Sequence, residues 1–172
     1  MLDVNLSFDN INILNIDKND LVDAYELIQR DQEYFRNSFA SSRDLKELYE
    51  RFLECYISEN EFFLKLNKSS KLIGLLKGRL EFKSVPEMWI WYFVLDPTLR
   101  STYFGSNLLN EIIGYFKNQY GVKEFYTTTE KSNINAINFF KNNGYDILRI
   151  SRNFYNINGE YKDMIILKKR GN

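Results

Sequence analysis

Three strand-like runs follow one another with no helical segment between them: "EFFLKL" at 61 to 66, "LIGLLKGRL" at 72 to 80 and "EMWIWYFVL" at 87 to 95. Each is rich in β-branched, aromatic or aliphatic residues, and a short polar turn, "NKSSK", joins the first two. Two strands linked that closely pair antiparallel, since a parallel crossover needs a dozen or more residues. A doubly wound parallel sheet is therefore excluded. The chain must instead build a mixed sheet that contains a meander.

The flanking segments complete the order. A strand around "INILNI" (11 to 16) leads to a helix from Asp20, with Leu21, Ala24, Tyr25 and Ile28 on one face. A second helix carries Leu45, Leu48, Tyr49, Phe52, Leu53 and Tyr56 at i, i+3, i+4, i+7 spacing, with Cys55 inside it as a small core residue. After residue 95 come a turn and a helix with Leu108, Leu109, Ile112, Ile113 and Phe116 on one face. "KEFYTTT" (123 to 129) is a strand, and "NINAINFFKNNG" a short helix closed by Gly144. Asn158-Gly159 marks a closing hairpin. The fold class is α/β with α+β mixing: a mostly antiparallel mixed sheet of about seven strands flanked by about four helices. With no linker, repeat or long charge run, 1 to 172 reads as a single domain, and a chain of this length buries roughly 70% of its unfolded surface.

Composition removes several functions. The 23 basic and 23 acidic residues cancel, so no global field draws nucleic acid or anionic lipid. There is no histidine, which excludes His-based hydrolase triads and takes away the usual zinc ligand; no metal site is expected. A single cysteine allows no intrachain disulfide, so a reducing cytoplasm is the expected compartment. The apolar run "MWIWYFVL" is far short of the roughly 20 residues that span a bilayer, and "MLDVNLSFDN" lacks the basic start of a signal peptide. No membrane role is expected.

The stretch "LDPTLRSTYFGSNLL" (95 to 109) carries the chemistry. The first N–H groups of a helix have no partner within it and carry about half a positive charge, so they attract phosphate oxygens where the chain lets them approach. Gly105 permits the approach, Arg100 adds a forked donor, and the N–H groups of residues 103 to 107 form the cradle. The plainer reading is a strand-to-helix turn whose helix is capped by Ser106 or Asn107.

This stretch resembles the acyl-CoA loop of the GNAT superfamily of N-acetyltransferases, written R/Q-x-x-G-x-G/A. "NINAINFFKNNGYD" resembles the family's N-x-x-A-x-x-F-Y-x-x-x-G-F/Y segment, with Asn133, Ala136, Phe139, Gly144 and Tyr145 on pattern. The likeness extends over about residues 11 to 168 in element order and 87 to 146 in recognisable sequence. It implies that acetyl-CoA is the co-substrate, with no metal. Backbone groups of Phe93, Val94 and Leu95 would meet the pantetheine arm. Arg100, Ser101, Thr102, Tyr103, Phe104, Gly105 and Ser106 would hold the pyrophosphate, Asn133 would lie beside the pantetheine, and Phe140 near the sulfur. Asn133 also suits a plain helix cap.

Two departures from the family pattern bear on activity. Tyr103 replaces the loop's first glycine, and Phe140 stands where many members have a tyrosine that protonates the leaving thiolate. The base is equally open. Glu87 and Tyr92 are the candidate catalytic residues, with Glu81 and Glu130 as further polar groups. A lysine-type amine costs roughly 4 kcal/mol to deprotonate at neutral pH and an α-amine about 1 kcal/mol, so a site lacking a clear base leans to the second kind. The segment 30 to 44, with Asp31 and Glu33, is where the family forms its acceptor cleft. The expected function is transfer of acetyl from acetyl-CoA to a primary amine by direct attack in a ternary complex, by a monomer or homodimer. The alternative is a coenzyme A-binding or interaction module of the same fold with weak or lost catalysis.

Overall fold

The computed structural model describes residues 1–30, 44–100, 103–157 and 159–171. Among them are eight strands and four α-helices: β1 (Asn5–Phe8), β2 (Ile11–Asn15), α1 (Leu21–Gln29), α2 (Leu45–Ile57), β3 (Glu61–Lys68), β4 (Lys71–Glu81), β5 (Glu87–Leu95), α3 (Phe104–Tyr120), β6 (Glu124–Glu130), α4 (Ile134–Asn142), β7 (Asp146–Ile157) and β8 (Glu160–Arg170). The hydrogen-bonded strand order is β1-β2-β3-β4-β5-β6-β8-β7. The mixed α/β class expected from the sequence is observed. β1, a four-residue strand paired with β2, is the addition to the expected seven.

The chain forms two compact units. One comprises Met1–Leu80 and Trp91–Gly105. Here β2 and β3, and β3 and β4, pair antiparallel, as the short "NKSSK" turn requires. Ser69 and Ser70 both take positive φ, 49° and 66°, the pair of left-handed residues that a two-residue hairpin turn demands. Helix α1 buries Leu21, Ala24, Leu27 and Ile28. Helix α2 starts at Asp44, whose side chain accepts from Glu47 N at 2.8 Å. It buries Leu48, Phe52 and Cys55, a narrower stripe than the sequence spacing indicates; Leu45, Leu53 and Tyr56 are exposed because a single line of α2 meets the core. These residues close a core with Ile16, Phe63, Leu75 and Val94.

The other unit comprises Glu81–Ile90 and Ser106–Asn172. The first half of β5 runs parallel to β6 from Glu87↔Glu124 to Ile90↔Thr127. Strand β8 pairs antiparallel with both β6 and β7. Leu108, Leu109, Ile112, Ile113 and Phe116 of α3 are all buried, as their spacing indicates. Strand β7, at the end of the strand order, has two register shifts against β8 and a left-handed residue, Asn153, at φ 49°. Among the described residues no helix is long and apolar enough to cross a membrane.

Candidate functional site

The last residues of β5 are set by their neighbour β4. A Cβ on Gly74 would lie 2.7 Å from Val94 O and 2.8 Å from Leu95 Cδ2, so the backbones approach as glycine alone permits. Asp96 N then donates to Ile73 O at 2.8 Å. The Asp96 carboxylate, 4% exposed, accepts from Thr98 N at 3.0 Å and Thr98 Oγ1 at 2.7 Å, and pairs with Arg30 Nη1 at 3.5 Å. The Thr98 hydroxyl, then its N–H, hold this carboxyl below the usual carboxylate range against the opposing effect of burial. A short 3-10 turn over Pro97–Leu99 follows. Arg100 Nη2 donates to Leu95 O at 3.0 Å, folding the turn back on its own strand.

Ser101 and Thr102 lie outside the described residues, as do Asp31 and Glu33. Tyr103 is 88% exposed, its ring directed away from the protein. Helix α3 begins at Phe104, with the Lys68 ammonium 5.7 Å from that ring's centre. Gly105 and Ser106 fall in the helix's first turn. Ser106 Oγ accepts from Asn143 Nδ2 at 3.0 Å, and Asn143, buried at the end of α4, also donates to Phe139 O at 2.8 Å.

Asn133 caps α4, accepting from Ala136 N at 3.1 Å. Phe140 is buried, its ring 5.2 Å from those of Phe139 and Tyr145. The Tyr145 hydroxyl is buried without a hydrogen-bond partner among the described residues, and desolvation pushes its pKa up.

The two catalytic candidates occupy different surroundings. Glu87 Oε2, at the start of β5, accepts from Lys83 Nζ at 3.0 Å and Trp89 Nε1 at 3.3 Å. It is the first residue of β5, eight positions before Leu95 in the sequence. Tyr92 packs edge-on against Phe63, 5.9 Å between ring centres, beside the core of α1 and α2. Burial raises its phenol pKa, so the hydroxyl is neutral at physiological pH. Glu130 accepts from Ser132 Oγ at 2.6 Å, and Glu81 pairs with Lys83.

Three residues of this region were not read as functional from the sequence: Gly74, Asp96 and Lys77. Lys77 lies on β4 within the buried run Ile73–Gly78 and is itself 7% exposed. Its signal was present, since strand alternation sets it on the face of Ile73 and Leu75.

A sequence profile described as "Acetyltransferase (GNAT) domain" matches residues 13–166. The chain belongs to the GNAT acetyltransferase family. No curated protein sequence matches this GNAT chain. Solved structures share its fold. The RimL ribosomal L7/L12 alpha-N-protein acetyltransferase is 11% identical at TM-score 0.85, over 99% of this chain and 96% of that one. The ribosomal-protein-S18-alanine N-acetyltransferase from Escherichia coli is 21% identical at TM-score 0.69, over 93% of each chain. The Microcin C7 self immunity acetyltransferase MccE, in complex with acetyl-CoA and AMP, is 16% identical at TM-score 0.78, over 95% and 93%. In this GNAT chain the strand, turn and helix of residues 87 to 120 and the capped helix α4 carry the two family-like motifs.

Proposed function

We propose that the protein transfers the acetyl group of acetyl-CoA to a primary amine, by direct attack of the amine on the thioester in a ternary complex. The observation that carries this reading is the geometry of residues 95 to 100 and 103 to 106. Asp96 and Arg100 lock the turn after β5, α3 opens at Phe104, and the side chain that departs from the family's glycine, Tyr103, points outward. With the Tyr103 ring exposed, α3 presents a helix N-terminus of the kind that attracts phosphate oxygens, which supports the cofactor reading. Backbone groups of Phe93, Val94 and Leu95 would hold the pantetheine arm, residues 100 to 106 the pyrophosphate, and Asn133 and Phe140 the region of the thiol. The continuous family match over 13–166 supports one catalytic domain, and the single cysteine supports a reducing compartment such as the cytoplasm.

Ribosomal protein and spermidine acetyltransferases of this fold act on different amines, and the scaffold does not select among them. Holding amine and carbonyl in near-attack geometry supplies much of the acceleration. A second reading, a coenzyme A-binding module with weak catalysis, is favoured by Phe140, which has no proton to give and sits among rings.

Calorimetric titration with acetyl-CoA tests the first step. Saturation at 100 times Kd stabilises the fold by about 2.7 kcal/mol, which a thermal shift also reads. Micromolar binding is expected. No binding at millimolar ligand overturns both readings, and binding without thioester loss to a panel of amines leaves the second.

A further inference from the structure

Asn143 closes α4 and, through its side chain, holds the start of α3. Its Nδ2 donates to Phe139 O at 2.8 Å and to Ser106 Oγ at 3.0 Å. The Phe139 carbonyl can only accept, so the amide cannot stand the other way round: its NH₂ group faces both partners, and both protons are committed. The residue is also fixed through its backbone. Its N–H meets Phe139 O at 3.2 Å and Phe140 O at 3.0 Å, and its carbonyl accepts from Lys169 Nζ of β8 at 2.9 Å, a cation where the C-terminus of a helix favours one. Lys169 Nζ reaches Asn110 Oδ1 of α3 at 3.4 Å as well. Asn143 is thus a buried amide with a single orientation, tied to α3, α4 and β8.

That orientation decides what Ser106 can do. A hydroxyl carries one proton and two lone pairs. Since Asn143 Nδ2 is a donor with no alternative, Ser106 Oγ meets it with a lone pair and directs its own proton elsewhere. Among the described residues no group accepts that proton. A serine deeper in a helix gives it to the carbonyl one turn back, but Ser106 is the third residue of α3 and has no such turn behind it. Its backbone N–H is one of the first four of the helix, which lack partners inside it. Two donors of one residue are left for an outside acceptor, and an anionic oxygen suits both.

We propose that Asn143 is a positioning residue for the phosphate end of acetyl-CoA, an inference that rests on the acetyl-CoA reading above. It touches no ligand atom. By holding Ser106 Oγ as an acceptor, it makes the hydroxyl a fixed donor toward a phosphate oxygen at the start of α3 before the ligand arrives. A rotor oriented in advance loses less freedom on binding, which is how preorganisation strengthens affinity. The end of α4 thereby acts on the cofactor through α3.

Calorimetric titration of coenzyme A into the wild type, Ser106→Ala, Asn143→Ala and the double variant tests this, with melting curves to check folding. Ser106→Ala is expected to weaken binding about tenfold, the loss of one hydrogen bond to a charged group. Asn143→Ala should weaken it by about threefold or more beside Ser106, but by less than about 1.5-fold in the Ser106→Ala background, because the cycle isolates what passes through the hydroxyl. Asn143→Asp, of the same size, can only accept; it draws the Ser106 proton inward and should weaken binding by more than about tenfold, a loss that also shrinks in the Ser106→Ala background. Ser106→Thr, which keeps a hydroxyl there, should stay within about threefold of wild type. A residue that served only the stability of α4 would lower Tm and weaken binding equally in both backgrounds, and that result overturns the proposal. So does Ser106→Ala binding as wild type, or Asn143→Ala and Asn143→Asp both doing so. If Asn143→Ala does not fold, the Asn143→Asp cycle decides alone. Failure of the wild type to bind coenzyme A refutes the parent reading instead.

Discussion

Gly74→Ala places a methyl group where β4 passes the end of β5. Two carbons rest at roughly 3.5–4.0 Å, yet the new Cβ would stand 2.8 Å from Leu95 Cδ2 and 2.7 Å from Val94 O. The leucine methyl can rotate away. The carbonyl is backbone, so β5 itself must retreat by roughly 0.7 Å or more. Overpacking of this kind costs about 1–3 kcal/mol, and the reduced freedom of the unfolded chain returns about 0.4–1 kcal/mol. The net expectation is a loss of about 1–2 kcal/mol, or about 2–8 °C in Tm for a chain of this length. Gly114, inside α3, is the control, since outside its own helix backbone and chain neighbours no described residue lies within 4 Å of the position a methyl would take. Gly114→Ala should raise Tm by about 1–4 °C through helix propensity. Differential scanning calorimetry on both variants, with acetyl-CoA titration alongside, makes the comparison. The Kd of Gly74→Ala should rise, because the displaced segment is the one assigned to the pantetheine, while Gly114→Ala should bind as wild type. A Gly74→Ala protein that melts at or above wild type would refute the packing argument.

Three further outcomes are expected. Tyr145→Phe removes a buried hydroxyl that has no partner among the described residues, and should raise the urea midpoint through a stability gain of about 1 kcal/mol, with an unchanged m-value. Asp96→Asn should cost about 1.5–3 kcal/mol at pH 7, where the wild-type carboxylate is ionised and bonded to Thr98. Because its folded pKa lies below the unfolded value of about 3.9, that advantage is full above pH ~4 and disappears as pH falls through the folded value; urea titrations at pH 7, 5 and 3 should show the gap closing. Tyr103→Gly should change the acetyl-CoA Kd by less than about threefold, since the ring is 88% exposed; a variant that binds where wild type does not would disprove the tolerance of this loop.

What the sequence made legible depended on whether the signal was local. The α3 stripe, the β3–β4 turn and the cap and closing glycine of α4 are properties of a few adjacent residues, and each is where its pattern indicates. β1 escaped notice because four residues, "NLSF", are too short to establish an alternation. The α2 stripe was over-read because helical periodicity says which residues share a face and not how wide a neighbour covers it. At the candidate site, Arg100, Tyr103 and Asn133 followed from motif spacing. Gly74 did not, since the need for a missing Cβ arises from a strand some twenty residues away in sequence. Lys77 was obscured by its own charge: a lysine in a strand reads as solvent-facing until its neighbours are seen to bury it.

The irregularity of β7 has a consequence for how this protein survives at high concentration. Its Ile147, Leu148, Ile150 and Phe154 are exposed on a strand at the end of the hydrogen-bonded order, a ready template for another chain. The two register shifts and the left-handed turn at Asn153 break that edge into short, differently twisted pieces, each too brief to recruit a partner strand along its length. Arg149 and Arg152 add charge to the same rim. A regularised β7 would keep every apolar side chain and lose the interruptions, converting a tolerated sticky edge into a nucleus for fibrous self-association.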